Sequence, residues 1–140
     1  MDIVVRAGIN PPLHPTDRAG HAVTWLATQL SWRHPQGLQP DIPIQDEMSL
    51  EPYGVEGRIL HTPGHTAGSV SLALATRDVL IGDLLIATLS GSHRPRYPLV
   101  ADDLGQVRTS VRRLLALSPR RLWSAHGGPF TPEDIRQRFP

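Results

Sequence analysis

Four short aliphatic runs, Arg58–His61, Ser69–Leu74, Asp78–Gly82 and Arg121–Ala125, each break off at a turn after four to six residues. Runs of that length are too short to bury the face of a helix, and their Val, Ile and Leu content suits buried strands. The core of this chain must therefore be a sheet. Arg77-Asp78 separates two of the runs closely enough for a hairpin, and Thr62-Pro63-Gly64 forces a turn after the first. A weaker strand is expected within Ile42–Leu50, with a turn at Tyr53-Gly54, and Ile3–Val5 reads as one more short strand.

Helical periodicity appears around these runs. Ala22, Val23, Trp25, Leu26 and Leu30 recur at helical spacing between Arg18 and Trp32, ahead of Pro35 and Gly37. Leu104, Val107, Val111, Leu114 and Leu115 form an apolar stripe opposite Arg108, Arg112 and Arg113, with Asp102 or Asp103 as the cap and Pro119 as the stop. Thr131-Pro132-Glu133-Asp134 opens a last helix: Thr as cap, Pro in the first turn, acids at the positive end of the dipole. Proline-rich stretches at 8–17, 33–43 and 90–99 are expected as loops and connectors. No repeat and no dividing linker occurs, so residues 1–140 read as one α/β domain.

Composition narrows the chemistry. With 39% hydrophobic and only 5% aromatic residues, the core is aliphatic. All 14 basic residues are arginine against 13 acids, a balance that gives no general polyanion footprint, so no nucleic-acid partner is expected. Cysteine is absent. Disulfides, thiolate metal sites and a thiol nucleophile are thereby excluded, and any metal must be held by His and carboxylates. The first residues show no basic-then-apolar leader, and no run approaches the length of a membrane span. A cytoplasmic protein with no membrane association is the expectation.

Three strand ends release ligand-type side chains beside glycine: His61-Thr62-Pro63-Gly64-His65-Thr66-Ala67-Gly68-Ser69, then Gly82-Asp83, then His126-Gly127. One histidine after a strand is ordinarily a surface or core residue. Two imidazoles and a carboxylate at neighbouring strand ends are a donor set suited to a divalent cation such as zinc.

In this order the motifs resemble the second half of the metallo-β-lactamase superfamily, which includes glyoxalase II-type thioesterases and lactonases. The likeness covers roughly residues 42–135, and its specific part is the eight-residue Thr-Pro-Gly-His-Thr-Ala-Gly-Ser string. The resemblance implies an αββα sandwich, here incomplete: the second sheet with its flanking helices, most of the first sheet missing. It implies that His65 is a ligand of the first metal, that the Asp83 carboxylate bridges two metals at the catalytic centre, and that His126 is a ligand of the second. It implies zinc, up to two ions, with manganese or iron as alternatives. In that family such a pair activates water to hydrolyse esters, thioesters, lactones and related bonds of small molecules.

The family's upstream His-x-His-x-Asp-His segment is absent. His14-Pro15-Thr16-Asp17-Arg18-Ala19-Gly20-His21 has the wrong spacing to replace it. The expectation is a chain that begins just downstream of that segment, holding three of the seven ligands. The alternative is an inactive binding or structural remnant with at most one weakly held metal. Either way, Val70, Leu72, Leu74 and Leu80 should partly face outwards on an uncovered sheet, which calls for a homodimer or a partner chain. His61 is expected in solvent or against a neighbouring strand, His93, Arg94 and Arg96 in a solvated loop with substrate contact as the alternative, Trp25 and Trp32 in packing, and Trp123 beneath the site.

Overall fold

The computed structural model describes residues 14–29, 41–88 and 94–139. The strand expected at Ile3–Val5, most of the two proline-rich stretches before residue 41, and His34, Trp32 and His93 lie outside the described residues. In chain order the elements are α1 (Arg18–Gln29), β1 (Glu47–Ser49), a 3-10 turn (Glu51–Tyr53), β2 (Gly57–His61), β3 (Val70–Leu74) and β4 (Asp78–Gly82). They continue with β5 (Ile86–Ala87), β6 (Pro95–Arg96), α2 (Leu104–Ala116), β7 (Arg121–Ser124) and α3 (Pro132–Arg138).

One five-stranded sheet runs β1-β2-β3-β4-β7, and β5 and β6 form a small second one. The first three pairings are antiparallel and β4–β7 is parallel. The parallel pairing requires a crossover, and α2 lies within it, as the long return path of a parallel pair demands. The arrangement is the α/β layering expected from the sequence. Part of the 90–99 stretch is not loop: Pro95–Arg96 pairs with Ile86–Ala87.

Period-two alternation splits the sheet into two unlike faces. Leu60, Ser71, Val79, Ile81 and Leu122 face one way and are buried. Against them pack Val107, Val111 and Leu114 of α2 and Ile135 of α3, in a core that also takes Leu84, Leu85, Ala101 and Phe130. Each large aliphatic or aromatic member of this cluster contributes about 1.5–3 kcal/mol on burial, which makes this face the main source of cohesion between sheet and helices.

The other face is uncovered among the described residues. Strand register aligns Met48, Ile59, Leu72, Leu80 and Trp123 in one row across all five strands. Val70 and Leu80 are each 43% exposed, while Leu72 and Leu74 are half-buried. The outward-facing aliphatic surface expected from the sequence is therefore present. Trp123 does not lie beneath the site; it belongs to this row, with the Arg121 guanidinium 5.0 Å above its ring. The parity of β7 decides this: once Leu122 points into the core, its neighbour must point away.

Both helix caps follow their sequence signals. Asp103, not Asp102, caps α2 by accepting from the Gly105 and Gln106 amides. Thr131 and Asp134 form a reciprocal capping box on α3. Helix α1 forms where periodicity placed it, yet Trp25 is 67% exposed and Val23 and Leu26 are exposed too, so these three are not buried as the spacing suggested. No helix among the described residues is long and apolar enough to cross a membrane.

Candidate metal centre

Strand direction brings the three candidate ligands together. β2 and β4 both run antiparallel to β3, and β7 runs parallel to β4, so β2, β4 and β7 all end at the same edge. His65 follows β2, Asp83 follows β4 and His126 follows β7. Residues far apart in sequence thus meet because three strands point one way, as in other sheets whose sites lie beyond the carboxyl ends of the strands.

The turn that presents His65 is tied down at nearly every polar group. The Thr62 amide donates to the Ser69 carbonyl (2.9 Å), and the Thr62 and Ser71 hydroxyls pair in the core (2.8 Å). The Ser110 hydroxyl of α2 donates to the Pro63 carbonyl (2.7 Å), and the Asp103 and Asp102 amides donate to the carbonyls of Gly64 and His65. Ala67 donates its amide to the Asp102 carboxylate (3.0 Å). Gly64, at φ +138°, lies so close to α2 that a Cβ would fall 2.3 Å from the Val107 amide nitrogen. Only glycine permits that approach. His61, expected in solvent or against a neighbouring strand, closes the far side: it is half-buried, with Nε2 2.8 Å from the Ala67 carbonyl.

The His65 ring is oriented by its other nitrogen. Nδ1 lies 2.8 Å from the Val100 carbonyl, and because a carbonyl only accepts, Nδ1 carries the proton there. Nε2 is left facing Asp83. A backbone carbonyl fixing the tautomer of an imidazole is the usual outer support of a histidine ligand. Val100 carries no side-chain signal for this task, so sequence reasoning missed it.

Asp83 stands between the two imidazoles. Its Oδ2 is 3.8 Å from His65 Nε2 and its Oδ1 is 3.4 Å from His126 Nε2. The His65 gap is too long for a hydrogen bond, and the His126 contact is within ion-pair distance without forming a hydrogen bond. Two donors on one tetrahedral cation, with bonds of about 2.0–2.2 Å, lie roughly 3.3–3.6 Å apart, so the His126 gap matches and the His65 gap exceeds it by a few tenths. Asp83 Oδ1 is also buried without a hydrogen-bond partner. Stranding a carboxylate oxygen in this way is costly unless a cation offsets it. By donor type and by this orphaned oxygen, the residues fit a divalent metal. Among the described residues, however, no group of three or more His, Asp or Glu side chains is gathered closely enough to hold one ion. Each imidazole addresses a different carboxylate oxygen.

His126 is the most exposed of the three, its side chain 73% accessible. Its backbone is not loose. The His126 amide donates to the Ser124 hydroxyl, which donates to the Leu85 carbonyl, and the His126 carbonyl accepts from Ala87. The three side chains open onto a cleft of about 430 Å³, lined otherwise by Ile86, Ala87, Thr88, Pro98, Leu99. Its apolar walls come from β5 and the segment after β6. His14 and His21 are not among the lining residues, in keeping with their spacing.

No family model matches the chain. Among curated proteins it is 34% identical over 91 residues to the "probable metallo-hydrolase" of Methanocaldococcus jannaschii, a match covering 61% of this chain and 41% of that protein. Among solved structures it resembles TTHA1623 in a di-iron-bound form, at 28% identity and a TM-score of 0.57, covering 91% of this chain and 62% of that one. It also resembles the metallo-β-lactamase family protein TTHA1429 from Thermus thermophilus, at 32% identity and a TM-score of 0.53, covering 75% and 34%. The chain spans well under half the length of the curated relatives it matches. Taken with the sheet order and the convergence of His65, Asp83 and His126, these likenesses relate the chain to the metallo-β-lactamase superfamily, part of whose fold it carries.

Proposed function

We propose that this chain serves a metal-dependent hydrolase, with His65, Asp83 and His126 as metal ligands and an ester, thioester, lactone or related small molecule as substrate. The single observation that carries the reading is the Asp83 carboxylate set between two imidazoles at strand ends, with its Oδ1 buried and without a hydrogen-bond partner. A bound divalent cation supplies a water of lowered pKa and polarises the scissile carbonyl. Zinc suits the N/O donor set; iron and manganese suit it as well, and TTHA1623 is a di-iron protein in its solved form.

The chain's own residues have distinct tasks in this scheme. Asp83 directs one oxygen towards each imidazole and would supply the carboxylate ligation of a bound cation. The Val100 carbonyl holds the His65 ring so that Nε2 faces the centre. Ile86, Ala87, Pro98 and Leu99 keep the cleft wall apolar, seating the body of a substrate and excluding bulk water. We propose further that the uncovered row Met48–Ile59–Leu72–Leu80–Trp123 is an interface with a second copy of the chain, since its apolar residues continue without interruption from edge to edge.

A second reading, a non-catalytic remnant holding at most one weak metal, is favoured by the absence of a three-donor cluster among the described residues. Metal analysis of protein expressed with zinc, manganese and iron separates the two. Retained metal with hydrolysis of an ester, thioester or lactone panel, both lost in Asp83→Asn, supports the hydrolase. Metal retained without hydrolysis supports the remnant. Protein purified without metal under all three conditions rejects the hydrolase and the metal site, and leaves the remnant in its metal-free form.

A further inference from the structure

A second concave surface lies between α2 and α3, away from the three ligand residues. This cleft, of about 390 Å³, is lined by Tyr97, Arg108, Val111, Arg112, Leu115, Ile135, Arg138 and Phe139. Its floor is apolar: Val111 and Ile135 are buried, and Leu115 and Phe139 half-buried. Three exposed guanidinium groups, from Arg108, Arg112 and Arg138, form its rim, and no acidic residue lines it.

That charge is uncompensated. Asp78, Asp46, Asp17 and Glu47 pair with Arg120 and Arg121, Arg113, Arg96 and Arg58 respectively, whereas among the described residues no carboxylate lies within ion-pair distance of Arg108, Arg112 or Arg138. The acids closest in sequence are already engaged. Asp103 caps α2, Asp134 is held in the α3 capping box, and Glu133 accepts from the Gln137 amide. Arg108 and Arg112 stand one helical turn apart, where like charges repel, so the bare rim opposes helix stability unless an anion offsets it. Arg108 is steadied by its place 5.4 Å over the Tyr97 ring, which in turn packs on Phe139 with centroids 4.3 Å apart.

A carboxylate is satisfied by a single guanidinium fork. Three forks around one hollow match a dianion with three or more acceptor oxygens. The apolar floor adds a place for a carbon skeleton, and the volume is that of a small-molecule site. We propose that this cleft binds a phosphorylated small molecule, its phosphate on Arg108, Arg112 and Arg138 and its apolar body over Val111, Leu115 and Ile135. The site is independent of the metal centre, so it stands or falls without reference to the hydrolase reading.

Calorimetric titration of the full chain with phenylphosphonate and with inorganic phosphate, at constant ionic strength, tests it. Phenylphosphonate cannot be hydrolysed at phosphorus-oxygen ester bonds it lacks, so the metal centre does not consume the probe. The expected result is saturable binding of both, phenylphosphonate the tighter. Arg112→Gln and Arg138→Gln should each weaken it by about tenfold or more, and Arg112→Lys, which keeps the charge and loses the fork, by less. Arg120→Gln, outside the cleft and paired with Asp78, should leave binding unchanged. All these arginines are exposed, so the variants should keep the wild-type circular dichroism and shift the urea midpoint only slightly. Absence of saturable binding, equal affinity for the two probes, or an equal loss in Arg120→Gln would overturn the proposal; the last would reveal diffuse attraction by positive charge.

Discussion

Gly64→Ala probes how the Pro-Gly-His turn is held. The added methyl would sit 2.3 Å from the Val107 amide nitrogen and 2.7 Å from its Cα. Both are backbone atoms of α2 and have no rotamer through which to yield. Restoring ordinary contact needs roughly 1 Å of separation between turn and helix, in a core packed as densely as a crystal. Helix α2 cannot withdraw freely, because Val107, Val111 and Leu114 are buried in that core. Overpacking of this kind and a φ of +138° imposed on alanine together should cost about 2–5 kcal/mol. Urea denaturation followed by far-UV circular dichroism should show the midpoint falling by roughly 1 M or more with an unchanged slope. Metal retention should fall with it, since the displaced turn carries His65. The internal control is Gly68→Ala in the same motif. Gly68 is exposed, with open space where a Cβ would be, so its change should stay within about 0.5 kcal/mol. Equal midpoints for the two variants would refute the claim that contact with α2 sets the turn.

Thr131→Ala removes one side of the α3 capping box and should cost about 1 kcal/mol, read as a fall of roughly 4 °C in the melting temperature. Asp78, Asp103 and Asp134 are held below the ordinary aspartate value of 3.8, chiefly by the Arg121 side chain, the Gln106 amide and the Thr131 hydroxyl respectively. Their contribution is complete above that value and disappears as pH falls through each lowered value, so urea midpoints should decline on acidification below about pH 4. Asp103→Asn, which still caps without titrating, should flatten that decline; an unchanged acid profile would remove Asp103 from it. Light scattering should find a dimer that Leu80→Asp converts to monomer. A wild-type monomer at high concentration would reject the proposed interface.

Much of the fold could be read from patterns local to the chain. The lengths of the aliphatic runs identified β2, β3, β4 and β7 to within a residue or so, and the cap signals at Asp102 or Asp103 and at Thr131 identified the starts of α2 and α3. These features rest on neighbours one to four residues apart, where φ/ψ preference and side-chain period act directly. Helix α1 shows the limit. Its period was legible, but the covering of its apolar side depends on what else reaches it. Trp123 shows the same limit in a strand, because register with Leu80 decided which face it joins.

The candidate site divides along the same line. His65, Asp83 and His126 were marked by glycine-flanked strand ends in one sequential order, a signal carried wholly by residue type and spacing. Their convergence required strand directions: β2, β4 and β7 end together only because β3 folds back between two of them and α2 returns the chain in parallel. Packing against α2 made Gly64 indispensable, the Val100 carbonyl turned the His65 ring, and burial left one Asp83 oxygen without a partner. A sequence can state which donors are present and where the backbone must bend. Distances, tautomers and unsatisfied charge come into being only when segments separated by tens of residues meet in a low-dielectric interior.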